Sequence, residues 1–184
     1  MNNMAKLVVT LTVIGIISAL VLAFVYQWTT PYINKHKVET KKEAVLTVIP
    51  DAAEYKKIEK KGKTFYEGFN KNGDRVGVAV ITKGPGFQGI IKLMVGTNPQ
   101  DGKIYGIKIL SHQETPGLGA RITGDEYKSN FKEKPFGEYK VVKKETDDPY
   151  QVEAISGATI SSTKVTNIIE KAVAEIKSAY GGGS

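Results

Sequence analysis

The sequence contains no cysteine among its 184 residues. Thiolate-held iron–sulfur clusters, c-type haem attached through C-x-x-C-H, Cys₄ zinc sites and disulfide scaffolds are therefore excluded. Histidine is scarce as well, because only His36 and His112 are present, far apart in the chain. A zinc or haem site would need most of its ligands from other residue types. We expect no metal site, and any redox chemistry of this chain must use an organic cofactor.

The sequence also lacks a concentrated block of charge of one sign. Its 26 Lys and Arg residues exceed its 19 Asp and Glu residues, which gives a formal net charge of +7. In residues 54–61, however, four lysines are interleaved with Glu54 and Glu59, a pattern typical of a solvated face. Nucleic-acid binding favours a denser basic stripe or a recognisable motif. Since neither is present, no nucleic-acid partner is expected.

One long stretch without charge lies near the N-terminus. Residues 7–34 carry no charged side chain, and those from 7–28 are almost all apolar or small. At about 1.5 Å per residue, a helix over this apolar part is roughly 33 Å long, enough to span a hydrocarbon core of about 30 Å. Tyr26 and Trp28 suit the aromatic belt at a membrane interface. A cleaved signal would have a shorter apolar region, so we predict a transmembrane anchor over residues 1–34.

Lysines flank this apolar stretch unequally. Lys6 precedes it, whereas Lys35, Lys37, Lys41 and Lys42 follow it. Counted alone, these charges place the following domain in the cytoplasm. Long domains are translocated largely regardless of flanking charge, so the count leaves the side of the membrane open.

The following part of the chain, residues 35–180, is long enough for one compact domain. Asn72-Gly73 between two strand-like runs predicts a hairpin, and apolar residues at helical spacing over 161–180 predict one buried helix face. The predicted elements are a helix at 38–49 that ends before Pro50, strands at 63–69, 75–82, 89–97 and 103–111, a helix at 122–131, a strand at 139–144 and a helix at 161–180. We predict an α+β fold with a mainly antiparallel sheet and flanking helices. Residues 181–184 have linker composition and are expected to form a flexible tail, as a remnant of cloning would.

Two connections of the predicted sheet are rich in glycine. In residues 83–89 the glycines permit close approach of a ligand, and Phe87 can stack on a ring; a tight turn is the alternative. Residues 112–119 follow the most apolar strand, and a plain loop is again the alternative. His112 and Glu114 fall on the same side of an extended chain, which allows a hydrogen-bonded pair or a general base. One histidine and one glutamate are too few ligands for a metal.

A third cluster, Ser156-Gly157-Ala158-Thr159, stands just before the C-terminal helix. Its hydroxyl groups could cap the free N–H groups of that helix. The same N–H groups and the helix dipole could instead bind a phosphate, and the residues alone leave both interpretations open. A serine hydrolase is disfavoured because the G-x-S-x-G elbow is missing. A dinucleotide site is disfavoured because no G-x-G-x-x-G opens a helix after a strand.

These residues resemble a known family. Ser156-Gly157-Ala158-Thr159 is similar to the flavinylation motif of the FMN-binding domains in the G subunit of the Rnf complex and the C subunit of sodium-pumping NADH:quinone oxidoreductase. The segments Met94-Val95-Gly96 and Gly106-Ile107 and the run 114–119 resemble the same family in content and order. The resemblance covers nearly the whole chain, and the chain length favours the Rnf subunit.

The resemblance implies that FMN is bound covalently, through a phosphoester to Thr159 that a separate flavin transferase forms. It further implies that no residue of this chain is catalytic and none binds a metal. The implied flavin-binding residues are Thr159 with Ser156, Gly157 and Ala158, then Glu114, Thr115, Gly117 and Leu118, and finally Lys83 and Phe87.

The implied function is that of a membrane-anchored electron carrier. The chain would be one subunit of a complex that couples electron transfer between ferredoxin and NAD to translocation of Na⁺ or H⁺, and it would not be active alone. Its partners would be the other membrane and peripheral subunits of the Rnf complex, and its FMN domain would lie on the extracytoplasmic side of the cell membrane. Two alternatives remain at this point: an FMN-binding subunit of another membrane electron-transfer chain, and a cofactor-free anchored binding module in which residues 156–159 only cap a helix.

Overall fold

The computed structural model describes residues 2–144 and 146–181, and for residues 31–38 it describes the backbone alone. The predicted tail at 181–184 therefore lies outside the described residues except for Gly181. The chain divides into two compact units, Met1–Lys41 and Lys42–Ser184. The predicted division at residue 34 stays a prediction.

The first unit is helical. Helix α1 (Asn3–Val48) is 46 residues long, and its segment Asn3–Thr30 is long and apolar enough to cross a membrane. The side chains described over residues 2–29 are exposed all round the helix. A helix that is apolar on every side and unburied within its own chain has the composition of a membrane span. The predicted helix at 38–49 is the C-terminal part of α1, since residues 33–37 contain no glycine or proline to end the helix.

The second unit contains a five-stranded antiparallel sheet in the order β1-β2-β3-β4-β5. The strands are β1 (Glu54–Lys60), β2 (Lys63–Phe69), β3 (Arg75–Pro85), β4 (Ile90–Asn98) and β5 (Lys103–Ser111). The predicted hairpin about Asn72-Gly73 is confirmed as the β2–β3 connection. Together with the helices described below, this sheet confirms the predicted α+β class.

Strand β1 was not predicted. Its alternating charges are typical of a solvated face, and the strand is indeed an exposed edge of the sheet. It pairs with β2 through the connection Lys61-Gly62, whose φ values of 49° and 73° match the two positive φ angles of a type I′ hairpin turn. An edge strand needs only one bonded neighbour, so charged residues are compatible with it.

The segment after β5 is less regular than predicted. A 3₁₀ helix (Gly119–Thr123) and helix α2 (Asp125–Ser129) stand in place of the single helix predicted at 122–131, which is corrected here. Gly124 separates them because its backbone is extended, with φ −69° and ψ 150°. Strand β6 (Lys140–Val142) confirms the strand predicted at 139–144 over a shorter range. It pairs in parallel with β7 (Gln151–Glu153), which is too short to show a period in the sequence.

Helices cover both faces of the sheet. Helix α3 (Thr159–Tyr180) confirms the long helix predicted at 161–180 and buries one face against the sheet. Its buried apolar residues are Val165, Ile168, Ile169, Ala172, Val173 and Ile176. The other face of the sheet packs on the last turns of α1 and on Ile49, through Tyr66, Ala79 and Met94. Burial on both faces explains the continuous buried runs in β3 and β4.

The contact between α1 and β4 depends on a missing side chain at Gly96. A Cβ at this position would lie on the Val48 carbonyl group, 2.6 Å from its carbon. Gly106 is the partner of Gly96 across β4 and β5, and a Cβ there would meet nothing within 4 Å.

We therefore expect Gly96→Ala to lower the free energy of unfolding by about 1–3 kcal/mol, because backbone must move to admit the methyl group. Gly106→Ala is the matched control and should change it by less than about 1 kcal/mol. Chemical unfolding of both variants and the wild type measures the difference. Equal effects of the two substitutions would contradict this account of the α1–β4 contact.

Candidate functional site

A cavity of about 510 Å³ opens at one end of the sheet in the second unit. Four segments form its walls: the β3–β4 turn, the loop after β5, Lys143 directly after β6, and the segment that leads into α3. The lining residues are Phe87, Glu114, Thr115, Leu118, Gly119, Lys143 and the run 154–161. The volume lies within the range of about 300–1,000 Å³ that is typical of small-molecule and cofactor sites.

The antiparallel register brings these segments together. Pro85 pairs with Ile90 at the turn between β3 and β4, and Lys92 pairs with Ser111 at the end of β5. The loop that follows Ser111 therefore starts beside the β3–β4 turn. Helix α3 packs closely on β3, since a Cβ at Gly84 would lie 2.6 Å from Ile168 Cγ1. Its first turn is thus held at the same end of the sheet.

Glu114 joins three of the four walls of the cavity. Its side chain is buried, with 4% exposure. The Oε1 atom accepts hydrogen bonds from the backbone N–H groups of Phe87 (2.8 Å) and Gln88 (3.0 Å). The Oε2 atom accepts a short hydrogen bond from the Ser161 hydroxyl in the first turn of α3. One carboxylate therefore links the β3–β4 turn and helix α3 to the loop after β5.

The environment of Glu114 favours its charged form. Burial alone would raise the pKa of this carboxyl, because desolvation disfavours a charge. The hydrogen bonds from Ser161, Gln88 and Phe87, together with the nearby His112, outweigh burial and hold the pKa below its ordinary value of 4.5. Glu114 is therefore a carboxylate at neutral pH.

Thr159 is the first residue of α3 and lies half-buried in the cavity wall. The preceding N-cap position is Ala158, and no side chain caps the helix there. Among the described residues, the Thr159 hydroxyl has no hydrogen-bond partner, whereas the Ser162 hydroxyl accepts a bond from the Ile155 amide (3.0 Å) and donates one to the Ala158 carbonyl (3.1 Å). The capping interpretation therefore does not account for Thr159. Its hydroxyl is available beside the unpaired N–H groups of a helix N-terminus.

Gly157 shapes the approach to Thr159. Its φ of +79° lies in the left-handed region, which other residues adopt only with strain. A Cβ at Gly157 would sit 3.4 Å from the Leu118 side chain. The turn before α3 thus lies close to the loop after β5, and both border the cavity.

The structure brings most of the predicted site residues to this cavity. Phe87, Glu114, Thr115, Leu118 and residues 156–159 all line it. Gly117 instead lines a neighbouring, more polar depression of about 880 Å³. Lys83 is an exposed residue of β3 and lines neither cavity.

The predicted hydrogen bond between His112 and the Glu114 carboxylate does not form. The His112 Nδ1 atom accepts a hydrogen bond from the Glu114 backbone N–H at 3.2 Å, so it orders the loop after β5. No group of three or more His, Cys, Asp or Glu residues suited to a metal occurs among the described residues.

Several lining residues were not predicted as site residues. Ser161 contacts Glu114, and Ile160, with 54% of its surface exposed, lies on the rim. The sequence could have identified both from their position, one or two residues after Thr159 in the first helical turn. Lys143 directly follows β6 and borders both cavities. Nothing local in the sequence connects it to residues 156–159, because the link depends on the β6–β7 pairing.

The family model and the most similar relatives point to one protein family. The family model of the FMN-binding domain matches residues 86–174. The chain is 33% identical to the G subunit of the ion-translocating oxidoreductase complex of Methanosarcina acetivorans, over 98% of each chain. It is 31% identical to the G subunit of the proton-translocating ferredoxin:NAD(+) oxidoreductase complex of Clostridium ljungdahlii, over 98% of this chain and 96% of that one. It is 33% identical to the G subunit of the Na(+)-translocating ferredoxin:NAD(+) oxidoreductase complex of Acetobacterium woodii, over 91% and 89%.

The fold is also similar to that of a solved protein. The crystal structure of NqrC from Shewanella oneidensis matches with a TM-score of 0.53 and 20% sequence identity, over 73% of this chain and 74% of that one. At this level of identity the similarity concerns the fold alone.

The lowered pKa of Glu114 makes part of the stability of the second unit depend on pH. A carboxyl with a lower pKa in the folded state stabilises the fold above its unfolded pKa and loses that contribution as the pH falls through its folded pKa. We expect the wild type to unfold at a higher temperature than Glu114→Gln at about pH 7, with the gap narrowing as the pH falls below about 4.5. Circular dichroism melts of both proteins from about pH 7 to about pH 3 measure the gap. A gap independent of pH would show that the charge of Glu114 does not stabilise the fold.

Proposed function

Because the chain belongs to the family of G subunits of ion-translocating oxidoreductase complexes, we propose that it serves such a complex as a membrane-anchored flavoprotein electron carrier with FMN in the cavity described above. One observation carries the proposal for the site. The Thr159 hydroxyl, without a hydrogen-bond partner among the described residues, lies in a cavity wall at the N-terminus of α3. The match to the FMN-binding domain family includes this residue.

The residues around the cavity fit FMN. The first turn of α3 offers N–H groups and positive dipole to a phosphate. Three large apolar side chains lie exposed around the opening, Phe87 with 60%, Leu118 with 50% and Ile160 with 54% of their surface accessible. Exposed apolar groups around a cavity suit an aromatic ring system such as isoalloxazine. The cavity thus offers both N–H groups suited to an anion and apolar side chains suited to a ring, as FMN requires.

We further propose that Thr159 holds the cofactor covalently. Its Oγ1 atom would attack the FMN phosphorus of a flavin nucleotide donor that carries this phosphate as an anhydride. The Oγ1–P bond would form as the anhydride P–O bond breaks, the second phosphate group of the donor would leave, and the hydroxyl proton would pass to solvent. A separate flavin transferase would catalyse the attachment. Ser156, Gly157 and Ala158 would shape the approach to Thr159. Bound FMN supplies one- and two-electron transfer at an organic ring. This chemistry suits a chain without cysteine.

The chain would act as a relay within a larger assembly. The relatives are named as subunits of ferredoxin:NAD(+) oxidoreductase complexes that move protons or Na⁺. The G-x-G-x-x-G run at residues 84–89 joins strands β3 and β4 and does not open a helix, so it lacks the context of a dinucleotide site. We therefore assign the ferredoxin, NAD and ion sites to other subunits of the complex and expect no oxidoreductase activity from this chain alone.

The orientation of the domain is a separate proposal. We propose that the FMN domain lies on the extracytoplasmic side, as the resemblance to the Rnf subunit implies and against the count of lysines around the membrane span. We follow the resemblance because long domains are translocated largely regardless of flanking charge.

Replacement of the proposed attachment residue provides the direct test. Thr159→Ala should abolish covalent flavin while the free energy of unfolding changes by no more than about 1 kcal/mol, since the hydroxyl makes no capping bond. Intact mass of the chain co-expressed with its flavin transferase, followed by peptide mapping, should show a gain of FMN less one water at Thr159 in the wild type and no gain in Thr159→Ala.

Thr163→Ala is the matched control, because Thr163 lies one turn further along α3 and its hydroxyl bonds only the Thr159 carbonyl (2.9 Å). This variant should retain the flavin. Covalent FMN in Thr159→Ala would refute the assignment of the residue. A wild-type chain without any added mass would refute the covalent linkage and favour a helix start with no cofactor.

The absence of cysteine permits a clean test of orientation. A single cysteine introduced by Lys57→Cys lies on the exposed edge strand β1, at a side chain with 59% exposure. With the FMN domain outside, a membrane-impermeant maleimide should label this variant in intact cells. Lys6→Cys, on the other flank of the span, should react only after lysis. The reverse pattern would place the domain in the cytoplasm.

A further inference from the structure

The Glu114 carboxylate accepts its hydrogen bonds from groups of the protein itself. Oε1 receives two backbone N–H groups, from Phe87 and Gln88, and Oε2 receives the Ser161 hydroxyl. The side chain is 4% exposed. Little of this carboxylate is left to bind a ligand directly, although it lines the cavity.

Two glycines lie against the carboxylate. A Cβ at Gly86 would collide with Oε1, and a Cβ at Gly119 would lie 2.6 Å from Oε2 and 2.7 Å from the Ser161 Oγ atom. Neither glycine has a positive φ, so backbone conformation does not require glycine at these two positions. At Gly119 the space is needed for the Glu114 carboxylate and the Ser161 hydroxyl. At Gly86 it is needed for that carboxylate and also for the Gly89 carbonyl oxygen and the Ile91 Cδ1 atom, each 2.8 Å from the added Cβ.

The negative charge also argues against direct contact with phosphate. Two like charges at short distance repel one another, more strongly where water is excluded. The hydrogen bonds to Glu114 keep it ionised, as its lowered pKa indicates. A carboxylate in this state is suited to bind N–H and O–H donors of the protein rather than a phosphate group.

We propose that Glu114 is a positioning residue that joins the β3–β4 turn to the first turn of α3, so that Phe87 and Thr159 are held in a fixed relation across the cavity. The inference rests on the proposed function for the identity of the cofactor. It also revises the expectation that Glu114 contacts the flavin: the residue acts through Phe87 and Ser161. Ser161 lies two residues from Thr159 in the same helical turn, so its bond to Glu114 restrains the attachment point.

The link itself is tested without flavin, on the full chain produced in the absence of transferase and held in detergent micelles. Glu114→Ala should speed hydrogen exchange at the Phe87 and Gln88 amides by about tenfold or more, because both lose their acceptor. Ser161→Ala should loosen the first turn of α3 and leave the Phe87 and Gln88 amides protected, since Oε1 is untouched. Unchanged exchange at these two amides in Glu114→Ala would overturn the inference, whatever the chain binds.

The consequence for the site is tested by co-expression with limiting transferase. Glu114→Ala should reduce the fraction of chain that carries covalent FMN by about tenfold. Glu114→Gln should restore most of it, because the amide oxygen can accept the two N–H bonds and the amide nitrogen can donate to Ser161. Full attachment in Glu114→Ala, or equal loss in the alanine and glutamine variants, would overturn the positioning role.

Glu67→Gln controls for general loss of stability. Glu67 is also buried, with 6% exposure, and pairs with Lys60 (3.6 Å) and Arg75 (3.5 Å). Both cations also contact the ring of Tyr180 at the opposite end of α3, roughly 30 Å from Thr159 at about 1.5 Å per residue. This variant should melt at a lower temperature and keep wild-type attachment. Equal loss of flavin in Glu67→Gln and Glu114→Ala would assign the effect to stability and overturn the inference. A wild type without flavin would refute the proposed function alone, because the exchange measurement still decides the role of Glu114.

Discussion

The packing of α3 across the sheet is the constraint on which the site depends. Its buried apolar face fixes the helix over β3 and β4, and this places its N-terminus at the end of the sheet where the β3–β4 turn and the end of β5 meet. The six apolar residues of that face lie between Val165 and Ile176, all of them after the first turn. The first turn is therefore free to carry polar residues, and Thr159 and Ser161 occupy it without loss of core.

The helix N-terminus and the Glu114 carboxylate have different electrostatic roles at this end of the sheet. The helix N-terminus supplies the N–H groups and positive dipole that suit an anion, whereas Glu114 supplies a negative charge that binds donors of the protein. Placed unbonded in the cavity, the carboxylate would repel a phosphate. It accepts hydrogen bonds from one turn and one helix instead, so the same group stabilises the walls without competing with the proposed ligand.

Residue patterns predicted the elements that show a hydrophobic period or border a specific turn sequence. The alternating and helical patterns located β2 to β5 and α3, and Asn72-Gly73 identified a hairpin. Strand β1 was missed because its charges are compatible with an edge, and β7 because three residues show no period. The same holds for the site. Residues 156–159 form a motif that can be recognised in the sequence, whereas the hydrogen bond from Ser161 to Glu114 joins positions 47 residues apart. Such contacts depend on the register of the whole sheet, which local patterns do not contain.

The shape of the cavity gives a physical reason for the covalent bond proposed at Thr159. Ligand sites typically bury about 70–90% of a ligand of this size, and non-covalent retention depends on that burial. Here Phe87, Leu118 and Ile160 are at least half exposed around the opening, so apolar contacts alone would hold a ring weakly. A phosphoester would retain the cofactor irrespective of burial and leave the open side of the cavity accessible. An electron carrier needs that combination, because its partner must approach the ring while the cofactor stays on the chain.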